Sequence, residues 1–275
     1  MLYKSNSPEH QEWMKKRKED DVQFLTKSRD ATQMFTESKM TPHFFISAPF
    51  GNYIKHPNAI STVGTYTLHP RGNRLWSVMK SLRWSRKHKG WTNRLGCPNP
   101  GIEVGLEKTN SDEILSIAET KRGEFKTLAS LIPASQSVEL NLSCPNLGQT
   151  TLPWDDAEIF LREKREWCIA KLSPLTTPEQ LEFLVDELGF KQLHFSNTFP
   201  LGKRGGGLSG RVLRPYTMEL IDIVRERWGA AVEVIAGGGV DSIGAVQDYL
   251  ARGANHVALG SVCFNWFKMK KILEK

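Results

Sequence analysis

The chain has 275 residues, 39% of them hydrophobic, which is enough for one large core of (β/α)8 size and does not require a second. Its apolar runs, such as 43–48 and 257–262, fall far short of the roughly 18 residues of a membrane span, and the charged stretch Glu12–Asp21, with Lys15-Lys16-Arg17-Lys18, argues against a secretory signal. The four cysteines, Cys97, Cys144, Cys168 and Cys263, form no C-x-x-C pair, so neither a metal site nor a disulfide scaffold is indicated, and the expected home is the cytoplasm.

Residues 1–40 are polar, contain no glycine and one proline, and read as an N-terminal helical extension; the barrel domain is expected over 41–275. From residue 43 onward, apolar runs rich in β-branched and aromatic residues alternate with helical segments, the pattern of a parallel sheet with crossover helices. Eight strands are predicted, at 43–49, 59–66, 113–118, 137–142, 167–172, 191–196, 232–236 and 255–260. That number closes a (β/α)8, or TIM-type, barrel more naturally than it builds an open sheet. Between the second and third strands lie eight basic residues from Arg71 to Arg94 and no acidic one, interleaved with Trp76, Trp84 and Trp91, so the formal net charge of +7 is locally concentrated. The segment reads as a solvated helix whose tryptophans pack on the barrel; a nucleic-acid surface or a site for an anionic small substrate are the alternatives. Further helices are expected at Asp155–Arg165, from Thr177-Pro178-Glu179 to Leu188 with Gly189 as its stop, and at Arg214–Trp228, Ser242–Ala251 and Lys268–Lys275.

In such a barrel the strand ends form the active site, and the informative residues fall there. Gly237-Gly238-Gly239 and Gly260-Ser261 end the last two strands, where backbone N–H groups reach an anion unhindered by a Cβ, so they read as a phosphate cradle. Lys171 sits among apolar strand residues, where an ammonium needs an acceptor, and the carbonyl edge of a flavin ring is one. Asn93, Asn141, Asn146 and Asn197 offer donors and acceptors without net charge, which suits a cyclic imide of alternating N–H and C=O groups. Gly202–Gly210 is either a second backbone approach or a mobile loop.

Asn141-Leu142-Ser143-Cys144-Pro145-Asn146 resembles the active-site loop of dihydroorotate dehydrogenases. Asn93-Arg94-Leu95-Gly96-Cys97-Pro98-Asn99 is similar to an earlier segment of that family, and Ile169-Ala170-Lys171-Leu172-Ser173-Pro174 to its lysine strand. Ser196-Asn197-Thr198, Gly206–Gly210, the run 235–242 and Ala258–Ser261 follow in the family's order, so the resemblance spans about residues 43–267. It implies FMN as cofactor, held by Ala48, Thr65, Asn141, Lys171, Ser196, Gly210, Gly238, Gly239, Gly260 and Ser261. A pyrimidine substrate would be met by Asn93, Leu95, Gly96, Asn141, Asn146, Asn197 and Thr198. Cys144 would be the base and Lys171 the cation at the flavin; the cysteine is similar to the soluble branches. The resemblance names no electron acceptor, and a homodimer is compatible with it. One departure stands out: the family's early active-site lysine is missing, its place taken by Asn52 or by Val63-Gly64, with Lys55 or Arg94 as the nearest substitute. Two rivals follow, a flavin-dependent reductase of uracil in RNA, favoured by the basic segment, and an FMN-binding protein without turnover.

Overall fold

The computed structural model describes residues 41–72, 81–94, 96–143, 154–201 and 206–274. The chain divides into two compact units, 1–41 and 42–275. The helical extension expected over 1–40 lies outside the described residues.

Eight parallel strands close into a barrel, and each coincides with a strand expected from the sequence. They are β1 (Phe44–Ile46), β2 (Ala59–Tyr66), β5 (Ile114–Ile117), β6 (Val138–Asn141), β7 (Cys168–Leu172), β8 (Gln192–Phe195), β11 (Glu233–Ala236) and β12 (His256–Leu259). They close in the order β1-β12-β11-β8-β7-β6-β5-β2. The register pairs Glu139 with Ile169 and Asn141 with Lys171 across β6 and β7, and Lys171 with His194 across β7 and β8.

Strand alternation builds the interior in layers. Phe45, Ile114, Trp167, Ile169, Ile235 and Ala258 form one buried apolar cluster. Two residues further along their strands, on the same face, come Ser47, Ser116, Lys171 and Gly237. Along β1, β5 and β7 the interior therefore changes from apolar to polar side chains in one step. A second, larger core joins the strands to the surrounding helices, with Leu140, Leu172, Leu193, Val234 and Tyr249 among its buried members.

The helices are α1 (Ile102–Lys108), α2 (Glu124–Leu131), α3 (Pro178–Glu182), α4 (Arg214–Trp228), α5 (Ile243–Ala251) and α6 (Trp266–Leu273). Local chemistry starts several of them: Thr177 and Gln180 form a capping box on α3, while Ser242 and Asn265 cap α5 and α6. After α3 the chain widens into a π turn at Phe183–Glu187 and ends at Gly189, whose φ is +89°. The helix expected at Asp155–Arg165 is a 3-10 segment, Asp155–Leu161. No described helix is long and apolar enough to cross a membrane.

A second sheet corrects the reading of the basic segment. Residues Arg83–Ser85 (β3) and Gly90–Asn93 (β4) form an antiparallel hairpin rather than a helix; 73–80 lie outside the described residues. Trp84 faces Trp91 across it with ring centroids 5.5 Å apart, a cross-strand aromatic pair that favours this geometry over a helix. Gly207–Ser209 (β10) continues the sheet on β4, and Phe199–Pro200 (β9) closes its other edge. Of the glycine-rich run, 206–210 is thus ordered sheet and turn, and 202–205 lie outside the described residues.

Candidate active site

The strand ends surround a cavity of about 580 Å³, within the range of cofactor and small-molecule sites. Among the residues expected to bind a cofactor, Ala48, Thr65, Asn141, Lys171, Ser196 and Gly210 line it, as do Gly238, Gly239, Gly260 and Ser261. From the expected substrate set, Asn93, Asn197 and Thr198 line it as well. Gly96 is not part of the lining; Cys97 and Pro98 stand there instead. Leu95, Cys144 and Asn146 lie outside the described residues.

The two glycine-bearing ends work differently. Gly238 and Gly239 take φ values of +83° and +69°, and a Cβ at either would press into Leu213 or the Arg211 backbone, so their lack of side chains is first a packing requirement. At Gly260 a Cβ would meet open space, which leaves approach from the cavity as the reason for a glycine there. The backbone N–H groups of Gly238, Gly239, Gly260 and Ser261 donate to no partner among the described residues. Four unpartnered donors at adjacent strand ends are what a phosphate monoester requires.

Lys171 finds its acceptor inside the protein, where the sequence reading looked to a flavin. Its Nζ lies 3.2 Å from Glu139 Oε1, and Glu139 Oε2 lies 2.7 Å from His194 Nδ1. All three side chains are buried, at 7%, 1% and 3% exposure. Burial alone would raise the Glu139 carboxyl, but the Lys171 ammonium and His194 outweigh it and bring the group down to about 2. His194 is lowered by burial and by the neighbouring ammonium, which together overcome the attraction of Glu139, so its ring is neutral. The network continues outward: Ser116 Oγ donates to Glu139 at 3.1 Å, Thr65 and Ser116 hydroxyls lie 3.0 Å apart, and Asn141 Nδ2 donates to Thr65 at 3.3 Å. Asn197 Nδ2 donates to Asn141 Oδ1 at 2.7 Å and to Ser143 Oγ at 3.2 Å. The sequence did carry a signal for Glu139, since it stands two residues before Asn141 and therefore on the same face of β6.

The missing lysine has a structural explanation. Asn52 Nδ2 donates to the carbonyls of Pro49 and Gly64 at 2.8 and 2.7 Å, and its Oδ1 accepts from the Gly64 N–H at 3.2 Å. It ties the loop after β1 to the middle of β2. Gly64 has φ +121°, and a Cβ there would lie 2.5 Å from the Ser116 carbonyl, so no side chain fits. Lys55 pairs with Glu113 and donates to the Gly51 carbonyl, and Arg94 is exposed; neither lines the cavity. Lys171 is the one Lys or Arg lining it among the described residues.

Aromatic rings border the opening. Phe264 meets Phe50 at 4.9 Å and Trp91 at 4.8 Å, and all three line the cavity. Next to them the hairpin turn exposes Arg86, Lys87 and Lys89. Burial pushes the Cys168 and Cys263 thiols up to about 12.

The sequence profile of the dihydroorotate dehydrogenase family matches residues 52–275. The chain belongs to the dihydroorotate dehydrogenase family. It is accordingly an oxidoreductase of that type. Similar proteins include the dihydroorotate dehydrogenase B (NAD(+)) catalytic subunit of Thermotoga maritima, 28% identical over 258 residues, covering 81% of this chain and 91% of that one. The subunit of the same name from Oceanobacillus iheyensis is 26% identical over 206 residues, covering 64% of this chain and 67% of its own length. Among solved structures, dihydroorotate dehydrogenase of Eimeria tenella in complex with ferulenol superposes with a TM-score of 0.63 at 20% identity, covering 80% of this chain and 76% of that one, which shows the shared fold.

Proposed function

We propose that this chain is an FMN-dependent enzyme that oxidises dihydroorotate to orotate in pyrimidine biosynthesis, with Cys144 as the base. The observation that carries the reading is the cavity, which unites four unpartnered backbone N–H groups, a buried ammonium and three asparagines. These residues suit the cofactor. Gly238, Gly239, Gly260 and Ser261 would hold its phosphate, while Lys171 would stand at the ring's carbonyl edge, with Ala48, Thr65, Ser196 and Gly210 along its length. When bound, FMN supplies a two-electron acceptor.

The chain's own residues supply the rest. Asn93, Asn141, Asn146 and Asn197, together with Thr198, would orient the alternating N–H and C=O groups of the substrate ring. Cys144, the residue after Ser143 in the chain, would take the C5 proton as a thiolate; the Ser143 hydroxyl is 3.2 Å from Asn197 Nδ2. An ordinary thiol ionises near about 8.5, so the step should speed up as pH rises through that region. The similar proteins are named NAD(+)-type catalytic subunits, which supports a second subunit carrying electrons to NAD(+).

One test reads the absorbance of the purified protein before and after anaerobic addition of dihydroorotate. A flavin spectrum that bleaches is expected, and Cys144→Ala should keep the flavin but slow bleaching by about a hundredfold to ten-thousandfold, the worth of a positioned base. A colourless protein that takes up no FMN would overturn the reading, and equal rates in Cys144→Ala would remove the base. A second reading, an uncharged dihydropyrimidine as substrate, is favoured by the absence of a cation other than Lys171 from the described lining. Faster bleaching with dihydrouracil than with dihydroorotate would select it.

A further inference from the structure

The geometry points to Glu139 as the positioning residue of this site: from behind the cavity wall it fixes Lys171 and His194 directly and, through Ser116 and Thr65, sets the carboxamide orientations of Asn141 and Asn197. Neither Glu139 nor Ser116 lines the cavity, whereas the five groups they organise do.

The argument rests on hydrogen-bond direction. An ionised carboxylate only accepts, so Lys171, Ser116 and His194 must all donate to it, and the His194 proton sits on Nδ1. The neutral ring then presents Nε2 as an acceptor. Because the Ser116 hydroxyl proton is committed to Glu139, the Ser116 oxygen can only receive the proton of Thr65 at 3.0 Å. Thr65 is left to accept, which selects Nδ2 of Asn141 at 3.3 Å and turns Asn141 Oδ1 towards Asn197 Nδ2 at 2.7 Å. Flipping either amide would set like atoms against each other. One buried anion thus determines which donors and acceptors five cavity groups offer to a ligand. The depressed Glu139 carboxyl keeps that anion present throughout the neutral range. In a low-dielectric interior such a chain is strengthened by its common direction.

A glutamine at position 139 keeps the shape and loses the device. Its amide hydrogens would face Lys171 and Ser116 or the Nδ1–H of His194, and one arm of the network would have to reverse. Two variants separate the arms: Glu139→Gln disturbs both, while Ser116→Ala cuts the path to Thr65, Asn141 and Asn197 and spares Lys171 and His194.

The first measurement needs no cofactor or substrate. Nitrogen-15 NMR of the full chain labelled at histidine, with His194→Gln assigning the signal, should find a neutral Nδ1–H tautomer across neutral pH in the wild type and in Ser116→Ala. Glu139→Gln should lose that tautomer, and Glu139→Asp should restore it in part. The second measurement rests on the proposed FMN and dihydroorotate site and titrates orotate against the flavin spectrum. Orotate should bind about tenfold more weakly in Ser116→Ala, the scale of one lost hydrogen bond beside a charge. In Glu139→Gln both FMN and orotate should weaken. A wild type that binds neither ligand would fail the functional reading and leave the tautomer measurement to decide this one. An unchanged tautomer in Glu139→Gln overturns the proposal, as does wild-type orotate affinity in Ser116→Ala. If Glu139→Gln does not fold, the Ser116→Ala titration alone decides.

Discussion

Acid should unfold this barrel earlier than its carboxylates alone would require, and His256 is the reason. The ring is 1% exposed, packed edge-on against Trp167 at 5.4 Å and Phe45 at 5.9 Å, and its Nδ1 accepts the His43 backbone N–H at 3.1 Å. Its Nε2 is buried with no hydrogen-bond partner among the described residues. Burial, with His43 beside it, lowers the group from 6.5 to about 4. Because the folded value lies below the unfolded one, the neutral ring costs nothing above 6.5. Between 6.5 and 4 the unfolded chain takes a proton that the folded chain refuses, so stability falls as pH falls through that window. At about 1.4 kcal/mol per unit the loss amounts to about 3 kcal/mol by the lower end. The Glu233 carboxylate, 4.0 Å from Nε2, softens the loss once the ring does charge. His194 and Glu139 also titrate on the acid side, so the assay must subtract them. Urea unfolding at several pH values should be compared between wild type and His256→Asn, which keeps an acceptor for His43 but does not titrate. The stability difference between the two should shrink by about 3 kcal/mol from pH 7 to pH 4. A difference that stays constant over this range would refute the reasoning.

Three further outcomes are expected. Gly64→Ala should cost several kcal/mol or prevent folding, because its φ of +121° and the Ser116 carbonyl leave no room for a Cβ, and soluble yield with thermal melting checks it. Thr177→Ala should lose the capping box of α3, lowering stability by about 1 kcal/mol while FMN content stays unchanged. Lys171→Ala should destabilise the fold by about 3–5 kcal/mol, since Glu139 is left as a buried charge without its ammonium, and should weaken flavin retention, with Lys171→Arg a partial rescue. Denaturation midpoints and flavin content measured on the same preparations test both halves.

Much of the architecture was legible because parallel strands buried on both faces announce themselves as apolar runs, and all eight barrel strands lie where such runs occur. The strand-end residues were legible for the same reason: once β6 to β8, β11 and β12 are located, Asn141, Lys171, Asn197, Gly238 and Gly260 must fall at one mouth. Two features escaped. The β3–β4 hairpin was read as helix because its turn, Arg86 to Lys89, carries none of the usual turn residues, and β4 is held on its other side by a partner far away in sequence, Trp91 by Ser209. Glu139 escaped because it lies inside β6 rather than at a strand end, and it satisfies Lys171 across the ladder from the neighbouring strand. Alternation along Val138-Glu139-Leu140-Asn141 contained that information, but the identity of the partner depends on the register between β6 and β7, which no single strand encodes.

The small sheet over the mouth has a consequence for anyone exchanging parts between this chain and its relatives. β3 and β4 belong to the connection between the second and third barrel strands, β9 and β10 to the connection between the sixth and seventh, yet they form one continuous ladder. A Cβ on Gly90 would collide with the Ser209 carbonyl, and one on Gly206 with the Asn93 carbonyl. Grafting either connection alone from a homologue would set a foreign edge against a fitted one. A functional chimera has to carry both, together with the residues that face each other across the seam, as a single transplantable cassette.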